Sequence, residues 1–153
     1  MSVAMSSGRL ESFRDLIVYK KAHELALQVY RITKKFPLEE QYGLVAQMRR
    51  AAISIPSNIS EGYSRFSRKE YLKFLSIAFA SGNELSTQMS ISSELEFVDV
   101  LDYNKFRALQ DEVLRLLWRL IMSLKGPSLL GYPGSSQKRC PDKICAHPSS
   151  EKT

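Results

Sequence analysis

Six basic side chains have the types and spacing that point most directly to chemistry. Arg49 and Arg50 are adjacent, and Arg65, Arg68, Lys69 and Lys73 follow close behind. Guanidinium groups bind phosphate through paired hydrogen bonds, and ammonium groups add charge. Tyr63 and Phe66 lie among them and can stack on unpaired bases. RNA or DNA is therefore the first partner to consider. Residues 13 to 73 hold 12 Lys+Arg against 6 Asp+Glu, whereas 74 to 124 hold 4 against 7, so the basic excess sits in the first half. A plainer reading pairs Arg49 and Arg50 with acids such as Glu61 or Glu84 and leaves the other charges as a solvated face.

Catalytic and metal-binding patterns are weak by comparison. His23 has no nucleophile and base beside it at helical spacing, so it reads as an unliganded surface or boundary histidine. Cys140, Cys145 and His147 form a pattern that leaves a zinc ion one ligand short and does not match established spacings. The Glu-x-x-His pairs of a di-iron bundle are missing, as are glycine-rich phosphate loops. No catalytic residue, metal or cofactor is expected, and the chain reads as a non-enzyme.

These side chains need elements to hold them, and apolar spacing supplies four. Val18, Ala22, Leu25, Val29, Ile32 and Phe36 step alternately by four and three, one stripe of a helix from about Phe13 to Lys35. Pro37 ends it, because the residue before proline avoids the α conformation. A second helix starts near Glu40 with Leu44, Met48, Ala51 and Ile55 on its stripe. Pro56 lacks a backbone donor, so a kink or break is expected at Ser54 to Ser57, with Ser54, Ser57 and Asn58 as local hydrogen-bond partners. Glu61, just before Gly62, is expected to hold an arginine across the bundle. Ser67-Arg68-Lys69-Glu70 has the form of a capping box and opens a third helix. That helix carries Tyr71, Leu75, Ala78, Gly82, Leu85 and Met89 to about Leu95. Asp99 or Asp102 can cap the fourth, whose stripe is Phe106, Leu109, Val113, Leu116 and Leu120. Four such helices on short connections give an all-α, antiparallel up-and-down bundle about 30 Å long. Leu114, Leu117, Trp118, Ile121 and Leu124 on helix four, and Leu16, Tyr19 and Tyr30 on helix one, exceed one stripe and point to self-association.

Length and composition set the outer bounds. The chain has 153 residues, 44% hydrophobic and 25% charged, which suits one domain with its own core. Gly and Pro crowd residues 126 to 148, so 125–153 reads as a basic tail, 1–12 as a loose amino terminus, and 13–124 as the folded unit. No apolar run approaches the roughly 20 residues that span a bilayer, no secretory leader is evident, and the two cysteines suit a reducing compartment. A cytoplasmic protein that does not enter membranes is expected. Its net charge of +6 permits an acidic partner without naming one.

Three runs carry a family resemblance. They are Asp15 to Ala22, Phe36 to Leu44, and the long stretch from Gln47 to Gly62 that includes Pro56, Ser57, Asn58 and Glu61; Ser67 to Tyr71 and Phe74-Leu75 extend it. Over about residues 13–124 the chain resembles the bacterial four-helix bundle proteins encoded by 23S rRNA intervening sequences. That resemblance implies a ring-like homopentamer. It also implies a relationship to the accessory variability proteins of diversity-generating retroelements, which bind nucleic acid and a reverse transcriptase. The leading expectation is a non-catalytic, oligomeric RNA- or DNA-binding accessory protein that assists a reverse transcriptase. The alternative is a protein-interaction scaffold in which Tyr19, Tyr30, Trp118 and Tyr132 matter more than the charges.

Overall fold

A computed structural model describes residues 12–126. Four helices account for most of them: α1 (Ile17–Thr33), α2 (Leu44–Tyr63), α3 (Arg68–Glu94) and α4 (Val100–Lys125). No strand occurs among the described residues. Each helix packs on its sequence neighbours, and α4 closes back on α1, with α2 against α3 the most extensive interface. The result is the expected antiparallel four-helix bundle.

The stripes read from spacing form the core. Ala22, Leu25 and Val29 of α1, Met48 and Ile55 of α2, Leu75, Ala78, Leu85 and Met89 of α3, and Val113 of α4 have no solvent exposure. The excess on α4 is absorbed there too, because Leu114, Leu117 and Ile121 are buried, whereas Leu109, Leu116 and Leu120 are only half-buried. The seam of α4 is therefore turned from the one drawn on sequence, and Leu109, Leu116 and Leu120 take half-buried places beside Trp118 and Leu124. Gln110 explains the turn. Polar by type, it is 2% exposed, and its Nε2 donates to the Gly82 carbonyl at 2.6 Å.

Several helix ends differ from expectation, each for a local hydrogen-bonding reason. Phe13–Asp15 form a separate 3₁₀ turn, because Ser12 and Asp15 cap each other reciprocally and Leu16 is extended before α1 starts. At α2, the Glu40 carboxylate accepts from the Leu44 amide at 3.0 Å, so the helix begins four residues late. A Cβ on Gly43 would stand 2.8 Å from that carboxylate oxygen, so glycine is what lets it reach the amide. The capping box expected at Ser67 is not formed: Ser67 is extended, but its side chain accepts no amide. Asp99 does cap α4, accepting from the Asp102 amide at 2.8 Å.

Nor does Pro56 break α2. The helix continues from Leu44 to Tyr63, with Pro56 buried inside it. Asn58 Nδ2 donates to the Ser54 carbonyl at 2.8 Å and to Ser54 Oγ at 3.0 Å, and Ser54 Oγ shares a 2.8 Å hydrogen bond with Ser81 Oγ of α3. The polar groups around the proline are thus tied to α3 as well as to each other. Ser57 is exposed, and its carbonyl accepts from Ser60 Oγ.

Up-and-down topology gives the bundle two unlike ends. The α1–α2 and α3–α4 connections meet at one, where the Phe36 and Phe97 rings lie 5.6 Å apart and Lys35 bridges to Asp99 and Asp102. The 3₁₀ turn, the α2–α3 connection and the end of α4 form the other, which Arg68 fastens by donating to the Leu124 carbonyl.

Candidate nucleic-acid interface

The six basic residues do not form one surface. Arg65, Arg68, Lys69 and Lys73 gather where α2 ends and α3 begins. Arg49 lies fourteen residues before the end of α2, which is about 21 Å along the helix axis. It is half-buried, donates to Thr33 Oγ1 at 2.9 Å, and sits with its guanidinium 4.9 Å from the Tyr30 ring centroid. Arg50 is exposed and donates to Gln47 at 2.7 Å. Neither pairs with Glu61 or Glu84. For Arg49 the Thr33 hydroxyl and the Tyr30 ring of α1 took the role assigned to a carboxylate, and spacing within one helix could not show that.

Within the remaining four, the charges are held differently. Arg65 pairs with Glu61 one turn earlier and lies 5.0 Å from the Phe74 ring, so Glu61 holds a local arginine and not one across the bundle. Arg68 is committed to the carboxyl end of α4, where a cation also opposes the helix dipole. Lys69 and Lys73 are exposed on the first turns of α3 and have no ion-pair partner among the described residues. Counting residues 12–16, 61–73 and 122–126, this end holds 6 cations against 3 carboxylates. Lys125 of α4 is one of them, and sequence distance had hidden it.

The two aromatic residues diverge as well. Phe66 is wholly exposed in the α2–α3 connection. Tyr63 packs edge-on against Tyr71 with centroids 6.5 Å apart, and burial raises the Tyr71 phenol above its ordinary pKa. Gly62 makes that packing possible: a Cβ there would stand 2.8 Å from Phe74 Cβ and 2.9 Å from Tyr71 Cδ2. Gly62 therefore lets the end of α2 pack closely on α3 where the basic connection begins.

A second feature lies on the outer face between α1 and α2. Tyr19, His23, Leu27, Tyr30, Ile53 and Pro56 line an apolar groove of about 380 Å³. His23 is exposed beside Tyr19, with ring centroids 6.3 Å apart. Trp118 packs on Phe79 between α3 and α4, 5.9 Å between centroids. No group of three or more metal-ligating side chains occurs among the described residues, and none of their helices is long and apolar enough to cross a membrane. Cys140, Cys145, His147 and Tyr132 lie outside the described residues.

Comparison with known proteins places this architecture. No curated protein matches the chain. Among solved structures, a protein of unknown function from the S23 ribosomal protein family of Bacteroides thetaiotaomicron superposes with a TM-score of 0.64 at 24% identity, covering 69% of this chain and 95% of that one. The likeness shows the fold. The family model for the 23S rRNA-intervening sequence protein matches residues 14–119, which is most of the chain and nearly the whole bundle. The chain therefore belongs to the 23S rRNA-intervening sequence protein family.

Proposed function

We propose that this protein is a non-catalytic RNA- or DNA-binding accessory protein of the cytoplasm that holds phosphates at the end where α3 begins. One observation carries the reading: Lys69 and Lys73 stand exposed on the first turns of α3, without an ion-pair partner among the described residues, at the end that also holds Arg65, Arg68 and Lys125. Their ammonium groups are free to meet a phosphate without breaking an ion pair within the described residues. The amide groups at the start of α3 donate no hydrogen bond to the Ser67 side chain, and they add donors of the kind phosphate uses. Phe66 adds a ring for stacking on an unpaired base. Assembly as a homopentameric ring, which the family resemblance implies, repeats the patch and multiplies its field.

Binding to single-stranded RNA and to duplex DNA at low salt tests the proposal. Lys69→Glu/Lys73→Glu, which removes no contact within the bundle, is expected to weaken affinity about tenfold or more, and log affinity should fall linearly with log salt. Unchanged affinity in that variant would sink the proposal. A reverse-transcriptase gene with template repeats beside the coding sequence would support the finer form, in which the protein assists that enzyme.

The α1–α2 groove favours a second reading, a protein-interaction scaffold, because an apolar groove with half-buried Tyr19 and Tyr30 suits a partner helix. Salt separates the two. Association through the groove should hold or tighten as salt rises.

A further inference from the structure

Five large apolar side chains crowd the end opposite the basic one. Leu38 and Tyr42 come from the α1–α2 connection, and Leu95, Val100 and Leu101 from the α3–α4 connection and the start of α4. Their exposure runs from 51% for Leu95 to 94% for Tyr42. The Phe36–Phe97 contact holds the two connections together, so these residues share one surface. Isolated apolar residues on a surface are ordinary, but five on one end mark a docking site. Its rim is acidic. Residues 34–43 and 94–102 hold 6 carboxylates against 2 lysines, and one of the lysines, Lys35, is already paired with Asp99 and Asp102. Glu94 and Glu96 are exposed and have no ion-pair partner among the described residues.

A matching surface exists on the same molecule. At the other end Phe66 stands clear of its own bundle, on the same end as Lys69, Lys73 and Lys125. Long basic side chains also offer apolar stems to a neighbour while their charges meet its carboxylates. We infer that a second copy of this chain docks head to tail along the bundle axis, with Phe66 seated among Leu38, Tyr42 and Leu101 and the lysines facing Glu94 and Glu96. The two faces are different patches, so the contact is heterologous and extends into stacks. It is distinct from a ring, whose subunits meet side by side. Single bundle ends are small, which suits a weak, reversible contact.

Sedimentation velocity over a concentration series, at low salt and without nucleic acid, reads this directly. Wild-type protein should gain mass as concentration rises, beyond any side-by-side assembly, and the gain should shrink with added salt. Glu94→Lys/Glu96→Lys and Lys69→Glu/Lys73→Glu should each lose the gain, with end-to-end association weakened about tenfold or more. A 1:1 mixture of the two variants should recover it, since every positive end then meets a negative one. Recovery also shows that both variants are folded. A mixture that stays as small as its components, or a wild-type mass indifferent to concentration, overturns the inference. Glu94→Lys/Glu96→Lys leaves the basic end intact and should bind nucleic acid as the wild type does, so this contact and the proposed phosphate binding fail separately.

Discussion

Gly62 and Gly82 both sit inside helices and both cost helix propensity, about 1 kcal/mol relative to alanine. Their surroundings differ in what can give way. At Gly62 an added methyl meets Phe74 Cβ and Tyr71 Cδ2 at 2.8 and 2.9 Å, and Phe74 Cβ is fixed to its backbone. Gly62→Ala is expected to destabilise by about 1–3 kcal/mol, overpacking outweighing the propensity gain, and thermal unfolding checks it. At Gly82 the methyl meets Leu114 Cδ2 at 2.6 Å, the far end of a flexible side chain. Gly82→Ala should therefore be the milder of the two in the same experiment. Composition showed where the glycines and small residues stood, but the reason for each is a neighbour from another helix. The same holds for Arg49, whose partners Thr33 and Tyr30 belong to α1.

At the scale of elements, the apolar stripes were readable because the 3.6-residue period repeats many times along each helix. The ends were not, since each depends on one or two hydrogen bonds. Ser12 and Asp15 have the spacing of a reciprocal cap, so that boundary was available in the sequence; Glu40 over the Leu44 amide was not, because it needs the turn at Gly43. Gln110 hid the seam of α4 by being polar at its centre. Asp99 joins cap and cross-helix pairing in one carboxylate. The Asp102 amide, followed by Lys35, holds its pKa below the ordinary aspartate value. A depressed carboxylate contributes stability that is complete above the unfolded-state pKa, declines below it, and is gone once the pH has fallen through the lower folded value. Lys35 is raised instead, chiefly by the Asp102 hydrogen bond, so its contribution is lost only as pH rises through its folded value in the strongly alkaline range. Asp99→Ala should destabilise the protein at neutral pH and less so in acid, which unfolding at several pH values would show. Equal costs at both pH values would refute the cap.

For the whole molecule, the bundle was legible and its working surface only partly so. Clustering in sequence joined Arg49 and Arg50 to the basic patch, and the antiparallel path moved them toward the other end while bringing in Lys125. Leu114, Leu117 and Ile121 of α4 went into the core, and the α1–α2 groove is the apolar face proposed for lateral assembly. Leu27 and Ile53 at its edge are 46% and 45% exposed. Ile53→Glu should leave folding within about 0.5 kcal/mol of wild type, since surface changes seldom do more, yet reduce the assembly to monomers. Light scattering after gel filtration checks both proposals at once: a wild-type monomer at micromolar concentration would end the case for a ring. An even number of antiparallel helices also brings Ser12 and Gly126 to one end, the end that Arg68 fastens. A fluorophore or surface linker attached at Ser12 or Gly126 itself would therefore sit beside the lysines and far from Tyr42 and Leu101. Immobilising the protein through those two positions would mask the basic pole and present the apolar one, so a test of the proposed phosphate binding needs an attachment point on the opposite end.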